Sequence, residues 1–180
     1  EGVDRYIRPG DDKAVIVDWD FVGVQYYTRL LVKPAPIPFL GGIPWNSHDY
    51  RNYDLTAMGW EVQPDGLYDS LARVHAYGKV DTLHVTENGA AFPDHLEGGR
   101  VHDPRRVKFY EDHLAEVRRA KADGIPVEGY FCWSLMDNFE WAEGYVPRFG
   151  ITYVDYETQE RTVKDSGLWF QRFLAGDGGR

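Results

Sequence analysis

Three short apolar segments, each followed by a segment with helical features, place the strongest constraint on the fold of this chain. The apolar segments are residues 20–27, 82–86 and 127–133. Each has the length of a buried strand, and a helix-like stretch separates it from the next one. Segments that alternate in this way form parallel β/α units, because a crossover must carry the chain back before the next parallel strand begins. The sequence therefore predicts an α/β protein with three parallel strands.

Apolar spacing and end residues predict where the helices lie. The first helix spans about residues 65–77, and its apolar face consists of Leu67, Leu71 and Val74. For the second helix, Asp103 suits the N-cap, Pro104 suits the first helical position, and Asp123-Gly124 ends the run. A long loop rich in Pro and Gly is predicted over residues 33–59.

A β-hairpin is predicted between the third strand and the helix that follows it. Residues 150–156 form its first arm, and the chain turns at 157–160. The run from Thr162 to Asp165 fits a capping box for the closing helix. The apolar face of that helix is expected to consist of Trp169, Phe170, Phe173 and Leu174.

Three β/α units are too few to close a barrel, which takes eight units and about 250 residues. They also leave both sheet edges unpaired and part of the core uncovered, whereas parallel sheets are normally covered on both faces. The chain is therefore expected to be one segment of a larger fold, or a half that pairs with another half. The residues leave both alternatives open.

Charge and aromatic content narrow the classes of ligand. Twenty Lys and Arg against 29 Asp and Glu give a formal net charge of -9, so nucleic acid and anionic membranes would be repelled. The chain contains 6 Trp, 12 Tyr and 9 Phe, many of them beside Asp, Glu, Asn or Gln. This mixture suits sugars, because rings cover the apolar faces of a pyranose while polar groups meet its hydroxyls. The same rings also fill ordinary cores, so composition alone leaves both interpretations open.

Cysteine and histidine usage argues against disulfides and metals. Cys132 is the single cysteine, so an internal disulfide framework is excluded. No apolar stretch approaches the roughly 20 residues of a membrane helix. The six histidines show no paired ligand spacing, so neither a metal nor a cofactor is expected. The sequence begins at Glu1 without a secretory signal, and a reduced cytoplasmic setting is expected.

Polar and aromatic side chains gather where each predicted strand ends. The first strand ends in Gln25-Tyr26-Tyr27, and the second ends in Glu87-Asn88. The third ends at Trp133, and just beyond it lie Asp137, Asn138, Glu140 and Trp141. In a β/α barrel the active site lies at the C-terminal ends of the strands. The sequence therefore predicts a functional site at that end of the sheet.

Several runs at these positions form a more specific pattern. They are DFVGVQYY at 20–27, TENG at 86–89, WSLMDNFEW at 133–141, GY at 144–145, RFG at 148–150 and VDY at 154–156. Together, in this order and at these spacings, they resemble the family 1 glycoside hydrolases over nearly the whole chain. The resemblance implies a (β/α)8 TIM barrel, of which residues 1–180 supply the last three β/α units, strands six to eight. The chain would then be the C-terminal portion of a single domain, with the N-terminal portion absent.

The resemblance implies that Glu87, at the end of the seventh strand, is the catalytic nucleophile. An ionised carboxylate on a rigid strand end can attack an anomeric carbon and form a glycosyl-enzyme. The alternative is a solvated glutamate that begins a turn at Asn88-Gly89. Tyr27 matches the family's tyrosine that hydrogen-bonds the nucleophile and helps to keep it ionised. Alternatively, Tyr27 is an aromatic strand residue that faces the core. Strand alternation directs Tyr26 to the opposite side.

The same likeness implies a pocket for the sugar. Trp133 would lie under the ring, Glu140 would accept hydrogen bonds from distal hydroxyls, and Trp141 would donate through its indole N–H. A surface salt bridge is the alternative for Glu140. Phe149 would close the same pocket; alternatively, it only packs in the core. Gln25 is included as a substrate-binding residue. It stands where the family more usually has Asn, and its extra methylene changes its reach.

The second carboxyl group of a retaining mechanism is not found in this sequence. The family's acid/base lies in an Asn-Glu-Pro run on the fourth strand, no such run occurs here, and the resemblance places Glu140 at the far end of the sugar. The expected function is therefore a retaining β-glycosidase, β-glucosidase-like, which acts on a β-glycoside by double displacement and takes its acid/base from a complementary N-terminal barrel portion. This chain alone would be inactive. The alternative is a non-catalytic half-barrel, a fragment or engineered assembly module that retains a sugar-binding surface.

Overall fold

A computed structural model describes residues 4–14, 16, 18–34, 41–44, 54–78 and 80–176, so the predicted loop over 33–59 lies partly outside the described residues. Within these ranges the strands are β1 Val22–Gln25, β2 Val32–Pro34, β3 Gly42–Pro44, β4 Leu83–Asn88, β5 Leu96–Glu97, β6 Arg100–Val101, β7 Val127–Cys132, β8 Thr152–Val154 and β9 Arg161–Val163. The helices are α1 Asp11–Ala14, α2 Asp65–His75, α3 Pro104–Ala122 and α4 Asp165–Leu174, with short 3₁₀ turns at Asp4–Tyr6 and Trp141–Glu143. No helix in the described part of the chain is long and apolar enough to cross a bilayer.

The three predicted strands form one parallel sheet in the order β1-β4-β7. This confirms the predicted parallel β/α arrangement. β1 is shorter than predicted, whereas β4 continues through Glu87 to Asn88. The extension of β4 follows from pairing, because Gln25 lies opposite Glu87 and the Tyr26 amide donates to the Glu87 carbonyl at 3.0 Å. Glu87 therefore belongs to the sheet and not to the loop after it.

One face of this sheet is covered by α2 and α3. The buried side chains that form the core here are Val24, Tyr26, Leu67, Leu71, Leu83, Val85, Val117, Ala120, Ile125 and Val127. Leu67 and Leu71 are fully buried, as predicted, while Val74 is partly buried at the edge. Tyr26 points into this core, as strand alternation predicts, and its hydroxyl donates to the Gln63 carbonyl at 2.6 Å.

The opposite face of the sheet, which we call the inner face, has little cover. It carries a row of rings in which His84 stacks on Phe21 at 4.5 Å and lies 6.2 Å from Phe131. Phe21, which directly precedes β1, and Phe131, on β7, are 47% and 57% exposed, although both rings contact His84 on the central strand β4. Within the described ranges, neither outer edge of the sheet pairs with a further strand. An uncovered inner face and two free edges are what a part of a barrel presents.

The hairpin and the start of α4 differ in how well they were predicted. β8 and β9 pair antiparallel, with Thr152 opposite Val163, so the hairpin is confirmed. The capping box is wrong, because Thr162 pairs with Tyr153 in the hairpin and Lys164 takes the N-cap position without a side-chain cap. The local sequence matches a capping box, but its first residue, Thr162, belongs to strand β9 and so cannot cap α4.

A second core lies where α4 packs against α3. It consists of Ala90, Phe92, Phe109, Tyr110 and Ile151, with Trp169 and Phe170 packed against it. Trp169, Phe170 and Phe173 are partly buried and contact one another, as the predicted apolar face requires. Leu174 is 73% exposed, so the prediction that it belongs to the apolar face is wrong. It is the last residue of α4.

Asp103 occupies the predicted N-cap position of α3, but its side chain does not cap the helix. Its carboxylate instead accepts from the Ser166 amide at 2.8 Å and the Ser166 hydroxyl at 2.5 Å, and it pairs with Arg106. The position was predicted correctly from local chemistry. The partner was not, because it lies 63 residues away on α4.

Candidate active site

Glu87 and Tyr27 meet at the C-terminal end of the sheet. The Tyr27 hydroxyl donates to Oε2 of Glu87 at 2.7 Å, and both side chains are half-buried. Burial, followed by the hydrogen bond to the carboxylate, raises the pKa of Tyr27 well above its usual range. Tyr27 therefore stays a protonated donor, which is the state that stabilises an ionised carboxylate.

Asn88 holds the end of the strand that carries Glu87. It is fully buried, and its side-chain amide donates to the Tyr26 carbonyl at 2.7 Å while its oxygen accepts from the Tyr130 hydroxyl at 2.6 Å. Its backbone carbonyl also accepts from the Trp133 amide at 2.8 Å. Asn88 thus ties β4 to both neighbouring strands directly beside Glu87. The sequence showed Asn88 in the run but gave no reason to assign it this anchoring position.

A pocket of about 210 Å³ opens over these two residues. It is lined by Tyr27, Trp60, Glu87, Trp133, Glu140, Trp141 and Phe149. Six of these were selected from the sequence, and the structure brings all six together. Concave sites with aromatic walls and a few polar groups are typical of small-molecule binding.

Trp60 is the pocket residue that sequence reasoning missed. Its ring lies 5.5 Å from Tyr27 and 6.1 Å from Phe149, and the three rings form one wall. Trp60 is placed by a tight turn, in which the Thr56 amide donates to the Trp60 carbonyl at 2.8 Å and Leu55 bridges to Glu61. It does not follow a strand end, so no strand pattern marked it, although a tryptophan after glycine in a loop was visible.

Glu140 is the second carboxylate in the pocket. Its amide donates to the Gly144 carbonyl at 2.6 Å, which closes a short turn around Trp141–Glu143. Burial raises the pKa of Glu140, repulsion from Glu87 raises it further, and a hydrogen bond from the Trp133 side chain opposes both effects. Glu140 therefore lies close enough to Glu87 for the charge of Glu87 to act on it.

The two tryptophans of this segment are placed differently. Trp133 is half-buried directly after β7 and lies in the pocket with Glu140, whose pKa its side chain lowers. Trp141 is 83% exposed and has a positive φ of 41° in the turn. Phe149, by contrast, is only 3% exposed and lines the same pocket. Trp133 and Phe149 are thus the more buried walls of the pocket, and Trp141 lies exposed at its rim.

Gln25 is not brought into this pocket. It is exposed at the end of β1 and lines a separate depression with Tyr26, Thr28, Arg29 and residues at the start of α2. The strand pairing shifts register between Val24 and Gln25, which places Gln25 beside the backbone of Glu87. The position of Gln25 on the strand, and not its extra methylene, separates it from the pocket that contains Glu87.

The described residues contain no cluster of side chains arranged to bind a metal ion. No group of three or more His, Cys, Asp or Glu side chains there could hold a metal ion. The chemistry that the pocket can support comes from its carboxylates, its tyrosine and its aromatic rings.

Comparison with known proteins decides the family. Residues 2–178 match the family model described as glycosyl hydrolase family 1. The chain belongs to glycosyl hydrolase family 1. This confirms the resemblance that the runs at the strand ends implied.

The family 1 relatives are β-glucosidases and related enzymes. The chain is 47% identical to a 1,4-beta-D-glucan glucohydrolase of Thermotoga neapolitana over 93% of this chain and 37% of that protein. It is 42% identical to a bifunctional beta-D-glucosidase/beta-D-fucosidase of Bifidobacterium breve over 97% of this chain and 41% of that protein. The chain therefore spans about two fifths of the length of the curated relatives it matches.

Solved family 1 structures agree with the fold. The family 1 β-glucosidase from Thermotoga maritima superimposes with a TM-score of 0.84 at 44% identity, covering 91% of this chain and 36% of that one. The same organism's enzyme with a cyclophellitol-analogue transition-state mimic gives a TM-score of 0.89 at 42% identity, covering 99% and 40%. The fold of this family 1 chain is accordingly part of a (β/α)8 barrel, as predicted.

Proposed function

We propose that this chain is the C-terminal portion of a retaining β-glycosidase of the β-glucosidase type, with Glu87 as its nucleophile. The observation that carries the proposal is the hydrogen bond of 2.7 Å from Tyr27 to Glu87 Oε2 within an aromatic pocket. A hydrogen bond from a tyrosine hydroxyl orients a strand-end carboxylate. Among the described contacts, Glu87 Oε1 has no donor, so it is the atom available for attack.

The reaction is a double displacement. Glu87 attacks the anomeric carbon, the C–O bond to the leaving group breaks, and the leaving oxygen takes a proton from the acid/base. Water then gives its proton to the same acid/base, attacks the anomeric carbon, and releases Glu87. Inversion twice at one carbon retains the β configuration.

The sugar is held by the pocket walls. Trp133 provides an apolar platform, and Glu140 accepts hydrogen bonds from hydroxyls distant from the anomeric carbon. Phe149 and Trp60 close the pocket from the side, and Trp141 donates at the rim. A carboxylate that accepts from two neighbouring hydroxyls discriminates between epimers, because the wrong epimer leaves it unpaired.

The acid/base is proposed to come from the complementary N-terminal barrel portion. A retaining mechanism needs two carboxyl groups about 5–5.5 Å apart across the scissile bond. Glu140 is not used for this role because it is assigned to the distal hydroxyls. The exposed inner face supports the need for that portion, as do the sheet edges, which pair with no further strand among the described residues. The alternative, a non-catalytic half-barrel that retains the pocket, differs in predicting sugar binding without turnover.

The test uses a completed barrel, in which this chain is joined to the N-terminal portion of the Thermotoga maritima β-glucosidase. We expect Glu87→Gly to abolish hydrolysis of an activated β-glucoside and azide to restore release of the leaving group. The product should be the α-glucosyl azide, because azide occupies the position of the lost carboxylate and inverts once. Glu111→Gly, an exposed change on α3, is the matched control and should keep full activity without azide. A β-azide product, or activity in Glu87→Gly without azide, would contradict the assignment.

A further inference from the structure

Six charged side chains form a continuous row of alternating charge between the segment after β4 and the segment after β7. In order they are Asp103, Arg106, Asp94, Lys164, Asp137 and Arg148. The first five side chains are 0–1% exposed, and that of Arg148 is 17% exposed. Three carboxylates meet three cations, so the row is balanced. Burial of so many charges is tolerated only when each has partners.

Lys164 is the central cation of this row. Its Nζ donates to Asp94 Oδ2 at 2.5 Å and to Asp137 Oδ1 at 2.8 Å. Arg106 donates to Asp94 at 2.9 Å on one side, and Arg148 donates to Asp137 at 2.6 Å on the other. Without Lys164 the ion pairs would divide into two parts, one containing Asp94 and the other Asp137. These parts would stay linked through the hydrogen bond of 2.7 Å from Arg106 to the Arg148 backbone carbonyl, which does not hold the Asp137 carboxylate.

The part containing Asp94 is attached to the residues that directly follow Glu87 in the sequence. Arg106 Nε donates to the Ala90 carbonyl at 3.2 Å, and Ala90 lies three residues after Glu87. Ala90 is fully buried in the second core with Phe92 and Phe109. The end of β4 therefore fixes the position of this part of the row.

The part containing Asp137 is attached to residues 134–149, which we call the pocket loop. Asp137 accepts from the Gly150 amide at 2.9 Å and from the Val154 amide at 3.3 Å. The ends of the loop are joined by bonds from the Ser134 amide to the Phe149 carbonyl at 3.2 Å and from the Ile151 amide to the Ser134 carbonyl at 2.9 Å. Because the loop carries Glu140, Trp141 and Phe149, its position sets three walls of the pocket.

We propose that Lys164 is a positioning residue, which holds the pocket loop in register with Glu87 by joining Asp137 to Asp94. This deepens the proposed function and rests on it. Lys164 contacts no residue of the pocket lining among the described hydrogen bonds, so it acts through Asp137 and Asp94. Its amide also donates to the Ile151 carbonyl at 3.0 Å, which fixes the lysine itself to the base of the loop.

The directional nature of ion pairs suits this task. A buried ion row has one arrangement in which every charge is satisfied, whereas an apolar contact tolerates sliding. Burial lowers the pKa of Lys164, and neighbouring Arg106 lowers it further, while the two carboxylates oppose both. The contacts with Asp94 and Asp137 therefore favour the charged ammonium in this buried site.

The test combines hydrogen exchange with kinetics on Lys164→Met in the completed barrel. We expect faster amide exchange in residues 135–149 and a fall in kcat/KM for a β-glucoside of about 10- to 100-fold, with a rise in KM. A shift of about 1 Å in a binding wall is enough for such a loss. Lys108→Met is the matched control, because Lys108 pairs with Asp112 on the exposed side of α3 and is 68% exposed. It should change neither quantity.

A second control separates positioning from stability. Leu71→Ala removes a fully buried side chain from the core cluster that contains Leu67 and Val85 and none of the six charged residues, so it should lower the thermal midpoint while kcat/KM at 25 °C changes less than about twofold. Unchanged loop exchange in Lys164→Met, or faster exchange with unchanged kcat/KM, would overturn the proposal. If the unsubstituted barrel fails to hydrolyse β-glucosides, the proposed function fails instead. The exchange measurement then still decides whether Lys164 orders the loop.

Discussion

Tyr27 makes the single contact on which the orientation of Glu87 depends most directly. Its hydroxyl lies 2.7 Å from Glu87 Oε2, and a hydrogen bond to a charged group contributes about 1.5–3 kcal/mol. In the completed barrel, Tyr27→Phe should therefore lower kcat/KM for an activated β-glucoside by about 10- to 100-fold, measured at saturating and limiting substrate.

The adjacent tyrosine offers a matched control for this change. Tyr26 loses the same atom in Tyr26→Phe, but its hydroxyl bonds the Gln63 carbonyl on the opposite side of the sheet. We expect lower stability and unchanged kcat/KM. Equal kinetic losses in both variants would show that the Tyr27 effect is general to the sheet and not specific to Glu87.

His113 makes the stability of this region depend on pH. It is fully buried on α3, where Nδ1 donates to the Phe109 carbonyl at 2.7 Å, and Nε2 has no partner among the described residues. Burial lowers its pKa from the usual 6.5 to about 4. Below pH 6.5 the unfolded chain takes up the proton more readily than the folded one, so stability falls between pH 6.5 and pH 4 and stays constant above.

The loss across this pH range should be about 3 kcal/mol, since one pKa unit corresponds to about 1.4 kcal/mol. Denaturant unfolding of the completed barrel from pH 7 to pH 4 measures it, and His113→Phe should remove this part of the slope. His75→Phe, at an exposed position of α2, should leave the slope as it is. A slope that survives His113→Phe would assign it to other groups.

At the scale of elements, the ends of β4 and β7 approach each other closely at Gly89. A Cβ atom added there would collide with the backbone carbonyl of Trp133, which has no side-chain freedom to give way. Gly89→Ala should therefore destabilise the completed barrel by at least about 2 kcal/mol, measured by denaturant unfolding. Gly42→Ala is the control, because its Cβ would meet neighbours only at 3.5 Å or more. An equal effect of both changes would contradict this account of Gly89.

The elements show which features of the fold are readable from local sequence. The parallel strands and α3 could be predicted because apolar spacing and the residues at Pro104 and Gly124 reflect the local backbone. The end of β4 and the partner of Asp103 could not, because strand pairing and a contact with Ser166 decide them. Thr162 shows the same limit, since its pairing with Tyr153 outweighs a local capping pattern.

For the whole molecule, the site was predictable to the extent that it lies on strand ends. Glu87 lies near the end of β4 and Trp133 directly follows β7, and the family pattern marks both. Trp60 arrives from a loop whose path depends on tertiary contacts, so no periodic pattern reveals it. Lys164 looks like an ordinary helix-start lysine in the sequence, and only the folded chain shows it buried between two aspartates.

The shape of the molecule explains why the pocket is expected to need another portion to act. Phe21, Phe131 and Leu135 are 47%, 57% and 64% exposed around a depression of about 430 Å³ on the inner face. Apolar surface of this kind is stabilised when further strands and helices cover it. The same covering portion would bring the acid/base to the opposite side of the scissile bond from Glu87.

The most direct test of the central claim is covalent labelling with a 2-deoxy-2-fluoro β-glucoside that bears a good leaving group, followed by peptide mass spectrometry. In the completed barrel, we expect one sugar per chain, attached to Glu87 and absent from the Glu87→Gln variant. Residues 1–180 alone should acquire little or no label in the same time. Label on another residue, or the same extent of labelling in Glu87→Gln, would contradict the assignment of Glu87 as the nucleophile.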